Sequence, residues 1–77
     1  MTVSEERARQ AERFAQEAGL DVDSEAAFLF WQDRSMTRHD LHQLADKVRR
    51  GEPVLTSRYD EEQYRQWRQW RERSGLG

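Results

Sequence analysis

Apolar residues recur every three or four positions in two stretches of the chain, a spacing that places side chains on one face of an α-helix. The first stretch is mostly alanine with one large anchor: Ala8, Ala11, Phe14, Ala15 and Ala18. The second stretch has larger side chains: Leu41, Leu44, Ala45 and Val48. The pattern therefore predicts two amphipathic helices, and the alanine face of the first allows a neighbouring helix to approach closely.

A third helix is predicted around a continuous apolar run, Phe28-Leu29-Phe30-Trp31. At about 100° per residue, four consecutive large side chains cover most of the circumference of a helix. Such a helix lies in the middle of a domain or presents one side to a partner. Asp23 is a residue type that caps helix N-termini, so we expect this helix to begin near it.

A fourth helix is predicted in the last part of the chain, where aromatic residues step by three: Tyr64, Trp67 and Trp70. Asp60 with Gln63 forms the pattern of a capping box at its start. Residues 53–59 have a strand-like composition, but there is no second strand to pair with, and a lone strand is unstable. We therefore expect residues 52–59 to form an extended connector whose apolar side chains fill the core.

Capping patterns mark the remaining helix ends. A hydroxyl residue followed three positions later by an acid begins the first and third helices: Thr2 with Glu5, and Thr37 with Asp40. Gly19 and Gly51 stand where a left-handed C-terminal cap is expected, and Pro53 follows the second of them. These patterns predict that short links separate the helices.

Together these patterns predict an all-α fold, a single helical domain over residues 1–77 built as a small bundle of three to four short helices. A chain of 77 residues has room for one hydrophobic core. The predicted core contains large apolar side chains from every segment: Phe14, Phe28, Trp31, Leu41, Leu44, Val48, Leu55, Tyr64 and Trp67.

Composition and charge narrow the classes of function. The chain has no cysteine, which excludes disulfides and thiolate metal sites. Its longest wholly apolar run, residues 26–31, is far shorter than a membrane span, so we expect a soluble cytoplasmic protein without membrane contact. The formal net charge is −2, whereas nucleic-acid-binding domains usually carry a basic excess. Nucleic acid is therefore the less favoured partner.

Candidate sites for chemistry are weak. His39, His42 and Asp46 share one helical face at positions i, i+3 and i+7, a spacing that suits a divalent cation but is common by chance. The chain contains neither a glycine-rich phosphate loop nor a serine in a nucleophile-elbow context. We therefore expect no metal, no cofactor and no enzymatic activity.

The last helix combines aromatic residues with arginines, and these are the residue types enriched at the centres of protein interfaces. Together with the end of the apolar run, it supplies the predicted partner-binding residues: Phe30, Trp31, Tyr64, Trp67, Arg68, Trp70 and Arg71. The alternative is that the aromatic residues pack in the core and the arginines are solvated. A second copy of the chain is one candidate partner, because the same surface can bury itself across a two-fold axis.

The alternative function is that of a nucleic-acid-binding regulator, which would use a helix-turn-helix arrangement over residues 28–51 together with the basic last helix. One helix ends near Arg34 and another opens at Thr37, and the N-terminal residues of such a second helix enter the DNA major groove. The nucleic-acid-binding residues of this alternative are basic or imidazole side chains: Arg38, His39, His42, Arg49 and Arg50. The small residue and the glycine that usually form the turn are missing.

Residues 44–64, LADKVRRGEPVLTSRYDEEQY, resemble the middle of Phd/YefM-type antitoxins. In that family a helix ends in a Gly-(Glu)-Pro-Val turn, a strand follows, and a helix with a glutamate–tyrosine sequence comes later. The resemblance implies a toxin-neutralising role, with Trp67 and Trp70 in the tail that contacts the toxin. The chain lacks the second strand of the family, and the amphipathic helix before this stretch does not match the N-terminal DNA-binding half of the family.

The function expected from the sequence is that of a small, non-catalytic, protein-binding regulatory module. Its size fits an inhibitor encoded by a phage or mobile element, or an antitoxin-like neutraliser. The aromatic and arginine residues of the last helix form the surface that such a module presents to another protein.

Overall fold

The computed structural model describes residues 3–75 and confirms the all-α bundle. Its four helices are α1 (Val3–Glu17), α2 (Glu25–Gln32), α3 (Arg38–Arg49) and α4 (Arg58–Arg73). The described residues form no strand, and residues 50–57 connect α3 to α4 without regular structure. The capping residue predicted at Thr2 lies outside the described part of the chain.

Two helix starts differ from the predicted ones. The N-cap of α2 is Ser24 and not Asp23, because the Ser24 hydroxyl accepts a hydrogen bond from the backbone N–H of Ala27. Helix α4 begins one turn earlier than predicted, since Ser57 accepts from the N–H of Asp60 at 3.1 Å. The predicted cap Asp60 therefore lies in the first turn of α4, where its charge complements the helix dipole.

Other helix ends form as predicted. Thr37 and Asp40 make the reciprocal capping box of α3, each side chain accepting from the backbone N–H of the other. Gly19 and Gly51 end α1 and α3 with φ of +78° and +76°, a region that disfavours other residues. After Gly51, the N–H of Glu52 donates back to an open carbonyl of α3, as in a Schellman motif.

Helix α2 lies at the centre of the bundle. It packs against α1, α3 and α4, whereas α3 and α4 do not pack against each other. The alanine face of α1 is fully buried against its neighbours, which confirms the close approach that small side chains allow. Phe14 of α1 meets Phe30 of α2 edge-on, with 5.4 Å between ring centroids.

The core is formed by α2 together with single anchors from the other segments: Phe28, Phe30, Leu41, Leu55 and Trp67, with seven alanines around them. Phe14, Trp31 and Tyr64 are only half-buried, although they pack against this core. Val48 was predicted to be a core residue and is 38% exposed, and Leu44 is half-buried. The reason is that no helix covers this side of α3.

Arg7 joins α1 to the end of α2. Its guanidinium donates to the backbone carbonyls of Phe30, Asp33 and Met36 at 2.8–3.0 Å. The same group lies 3.6 Å above the centre of the Phe30 ring. Partial burial is the main cause of a lowered pKa for Arg7, which nevertheless stays charged at neutral pH. Arg7 thus supplies hydrogen-bond donors to two carbonyls at the end of α2, those of Phe30 and Asp33, and to one carbonyl in the link to α3.

A second arginine acts in the same way at the end of α1. Arg49 of α3 donates to the carbonyl of Ala18 and forms an ion pair with Asp46 at 2.9 Å. Neither α1 nor α2 has a basic residue in its own last turn. The positive charge that favours a helix C-terminus therefore comes, in both cases, from a neighbouring helix.

The link between α2 and α3 is held by Asp33 and Ser35. The Ser35 hydroxyl and backbone N–H both donate to Asp33 Oδ1, at 2.6 and 3.0 Å. These two hydrogen bonds, the side-chain one first, lower the pKa of Asp33 because they stabilise the ionised carboxylate. Among the described residues, none of the helices has the length and apolar character needed to cross a lipid bilayer.

We expect Arg7→Ala to lower the free energy of unfolding by about 2–4 kcal/mol, because hydrogen bonds from a charged donor are worth about 1.5–3 kcal/mol each and these are partly exposed. Arg7→Lys should recover little of this loss, since an ammonium group lacks the planar fork that spans three carbonyls. Urea denaturation measures the free energy of unfolding of both variants. Arg9→Ala, at an exposed position of the same helix, is the control and should cost less than about 0.5 kcal/mol.

The two leucines of α3 should differ in their effect on stability. Leu41 is completely buried, so Leu41→Ala should lower the free energy of unfolding by about 2–5 kcal/mol. Leu44 is half-buried, so Leu44→Ala should cost about half as much or less. Urea denaturation of both variants tests the depth of each side chain, and equal losses would contradict the burial difference.

Candidate functional site

An aromatic seam joins α2 to α4. It consists of Phe28, Trp31, Tyr64, Trp67 and Trp70, whose neighbouring rings have centroids 5.6–6.3 Å apart. The contacts follow the same order along both helices, from Phe28 with Tyr64 to Trp31 with Trp70, so the two helices run in the same direction. The stepping of aromatic residues along α4 therefore serves first to attach this helix to the bundle.

Polar contacts fix the first half of α4 against the start of α2. The Tyr64 hydroxyl donates to the carbonyl of Asp23 at 2.6 Å. Arg68, one turn further along α4, lies 3.4 Å from the carboxylate of the same Asp23. Burial is the main cause of a raised pKa for Tyr64, which Arg68 partly offsets and Asp23 reinforces. Asp23, predicted as a helix cap, instead holds α4 in register.

The structure places three predicted partner-binding residues inside the monomer. Phe30 and Arg71 are each 1% exposed, and Trp67 is 3% exposed. Arg71 lies 3.0 Å from the carboxylate of Glu12 and 5.2 Å from the centre of the Trp67 ring. Burial keeps these three side chains out of reach of a partner in this fold, and it corrects the prediction for them. Their arrangement serves the attachment of α4 to α1 and α2.

The other predicted residues of the aromatic surface remain accessible. Trp31, Tyr64 and Trp70 are half-buried, and Arg68 is exposed. Trp31 and Trp70 lie together on one flank of the seam, with ring centroids 5.6 Å apart. Tyr64 and Arg68 belong to a different surface, because both line a groove that opens between α3 and α4. The structure thus divides the predicted surface into two parts.

This α3–α4 groove has a volume of about 1060 Å³ and lies between the end of α3, the connector and α4. Its apolar lining comes from Val48, Val54, Leu55 and Tyr64. Val48 is exposed and Val54 is half-buried, while Leu55 reaches into the core. The groove was not predicted from the sequence, because Val48 and the apolar residues of the connector were expected to lie in the core. The strand-like composition of the connector was the signal that apolar residues would collect there.

Charged residues surround the apolar lining. Glu25, Glu61 and Glu72 contribute carboxylates, and no ion pair seen among the described residues engages them. Of the basic residues at the groove, Arg68 is paired with Asp23, which leaves Arg65 to oppose the three acids. The electrostatic character of the groove is therefore acidic around an apolar lining.

Side chains of the helix-turn-helix alternative are engaged in contacts within the chain. Arg38 pairs with Glu17 at 2.7 Å, and Arg50 pairs with Glu52 at 2.7 Å. His42 faces Glu17 at 3.9 Å, and Nε2 of His39 lies 3.2 Å from the side-chain amide of Gln43. Arg49 donates hydrogen bonds to the carboxylate of Asp46 and to the backbone carbonyl of Ala18 at the end of α1. An acidic partner lies beside each of these three arginines, which weakens the field that phosphates would meet.

The candidate metal site does not assemble. Within residues 3–75, no group of three or more histidine, cysteine or acidic side chains has the geometry to hold a metal ion. His39 and His42 make separate contacts, one with Gln43 and one with Glu17. The shared helical face of His39, His42 and Asp46 therefore does not bring their donor atoms to one point.

Comparisons of the chain with protein families, with curated proteins and with solved structures found no match in any of the three. In addition, the strand that Phd/YefM-type antitoxins place after the Gly-Glu-Pro-Val turn does not form here, since residues 52–57 lack regular structure.

We expect Tyr64 to titrate above the value of about 10 found in model peptides, because burial and the bond to Asp23 favour the neutral hydroxyl. Its contribution to stability should be complete below about pH 10 and be lost as pH rises through the folded-state pKa. Tyrosinate absorbance as a function of pH measures the titration midpoint of Tyr64 in the variant Tyr59→Phe, where Tyr64 is the sole tyrosine. Equal midpoints with and without a denaturing concentration of urea would contradict the prediction.

Proposed function

We propose that the chain is a non-catalytic protein-binding module that holds a partner protein in the α3–α4 groove. The observation that supports this proposal is the apolar lining of the groove, where Val48 is 38% exposed although it belongs to the apolar stripe of α3. A contiguous apolar surface that stays partly open to solvent and is rimmed by polar residues is typical of interaction sites.

The residues of the groove favour binding over catalysis. The single serine hydroxyl of its lining, that of Ser24, is occupied as the N-cap of α2. Neither histidine lines the groove, so no histidine stands beside that hydroxyl to act as its general base. The groove presents tyrosine, arginine and aliphatic side chains. Tyrosine and arginine are enriched at interface hot spots.

A module of this kind suits regulation by occupancy, in which a small chain blocks a surface of a larger protein. An inhibitor or an antitoxin-like neutraliser would act in this way without chemistry of its own. The Trp31–Trp70 flank lies away from the groove and is the second surface to test, because it retains part of the aromatic area predicted from the sequence.

Site-specific photo-crosslinking tests which surface binds. A photoreactive residue is placed at Arg65 in the groove, at Trp70 on the other flank, or at Tyr59, which is exposed on α4 outside both surfaces. In a lysate of the organism that encodes the chain, we expect a discrete protein adduct from position 65 and little from position 59. Equal adducts from 59 and 65 would contradict the proposal, and an adduct from position 70 alone would move the site to the Trp31–Trp70 flank.

Salt separates this proposal from nucleic-acid binding. Contacts to phosphates lose affinity by about a thousandfold or more between about 50 and 200 mM salt when six or more are made. Binding in the α3–α4 groove depends mainly on apolar area, so the yield of protein adduct should persist over this range. A nuclease-sensitive adduct that disappears at the higher salt concentration would favour the helix-turn-helix alternative.

A further inference from the structure

We propose that the α3–α4 groove receives a basic amphipathic α-helix of the partner protein. This inference rests on the proposed function and adds the chemistry of the partner. Three features of the groove support it: its shape between two helices, the absence of a sheet edge among the described residues, and the sign of the charges around its apolar lining.

The shape fits a helix. Helices α3 and α4 both pack on α2 but not on each other, which leaves the position between them open. The volume of the groove, about 1060 Å³, equals that of about nine residues of helix taken as a cylinder about 10 Å wide. Two to three turns of a partner helix would therefore fill the space that a further helix of the bundle would occupy.

The described backbone favours a helix over an extended peptide. Extended peptides gain affinity by adding a strand to the open edge of a sheet. Residues 3–75 contain no strand, so an extended peptide has no edge to pair with here. A helix satisfies its own backbone hydrogen bonds and binds through side chains alone, as in other complexes where an amphipathic helix lies in an apolar groove.

The apolar lining requires an apolar stripe on the partner helix. Val48 ends the stripe of α3, Val54 and Leu55 continue it in the connector, and Tyr64 closes it on α4. Aliphatic residues at i, i+3 or i+4, and i+7 of a helix form one apolar face that can lie against this lining. The exposed part of Val48 and Val54 would be removed from water on binding.

The charges around the lining require basic residues beside that stripe. Glu61 and Glu72 lie on α4, and Glu25 lies at the start of α2, while Arg65 is the one groove arginine without an ion pair among the described residues. Lysine or arginine beside the apolar stripe would complement these carboxylates and speed association. A second copy docking symmetrically would bring like charges together, because it would present the same acidic groove.

Synthetic peptides test the proposal directly. The probe is a helical peptide of about 15 residues with leucines at i, i+3 and i+7 and lysines on both sides of this stripe. One control has the same composition in scrambled order, and the other has glutamate in place of every lysine. We expect fluorescence anisotropy to show at least tenfold tighter binding of the probe than of either control. Equal binding of the scrambled peptide, or tighter binding of the acidic peptide, would overturn the proposal.

Variants of the chain locate the binding site. Glu61→Lys with Glu72→Lys should weaken binding of the probe about tenfold, and less so at high salt, because rim charges act through screened fields. Val48→Asn should weaken it about fivefold through the apolar lining. Glu62→Lys is the matched control, since Glu62 is exposed on α4 but does not line the groove, and it should change the affinity less than twofold.

Thermal unfolding of each variant verifies that it is folded at the temperature of the binding measurement. If folded groove variants bind the probe as tightly as the original chain does, the proposed site is wrong. If the probe does not bind although crosslinking at position 65 captures a partner, the partner is not a basic helix and the proposed function survives. If position 65 captures only a second copy of this chain, the groove is a dimer interface and the helix proposal is overturned.

Discussion

An eight-residue helix with four consecutive large apolar side chains is apolar around most of its circumference, and the arrangement of the bundle follows from how the other helices cover it. The alanine face of α1 brings Phe14 onto Phe30, and α3 places Leu41 in the same core. The rings of α4 cover Phe28 and Trp31. Because α3 and α4 both pack on this short helix and not on each other, a groove opens between them. The candidate site is thus a consequence of how α2 is buried.

Short helices also leave many open carbonyls relative to their length, and here tertiary contacts satisfy some of them. Asp33 at the C-cap of α2 has the wrong charge for a helix C-terminus, but Arg7 lies beside it and donates to its carbonyl. In the same way, Arg49 donates to the carbonyl of Ala18 at the end of α1. The caps therefore form only when α1, α2 and α3 are packed together, which couples local helix stability to the assembly of the bundle. Such coupling makes folding cooperative in a chain with a small core.

Local patterns in the sequence predicted the helices well and their surroundings poorly. The capping box at Thr37 and the glycine at position 51 depend on neighbours within six residues, so sequence alone is sufficient for them. At the start of α4, the sequence pattern indicated only Asp60 as the cap, whereas the structure uses Ser57, whose side chain accepts from the N–H of Asp60. Helical spacing placed Val48 on an apolar face but could not show that no helix lies opposite. Arg71 has the spacing of a solvated flank, and its burial requires Glu12, which is 59 positions away.

The way the fold uses its charges is the strongest reason to look for the partner at the groove. Arg38, Arg49 and Arg50 are each matched by an acid of the chain itself, so the face proposed for nucleic acid is largely neutralised. Around the groove the charges are not balanced, because among the described residues the unpaired carboxylates outnumber the one unpaired arginine. Apolar side chains beside these carboxylates remain partly exposed to water. Exposed apolar area and uncompensated charge both disfavour the isolated chain. Their coincidence at one groove is what a surface adapted to a complementary helix requires.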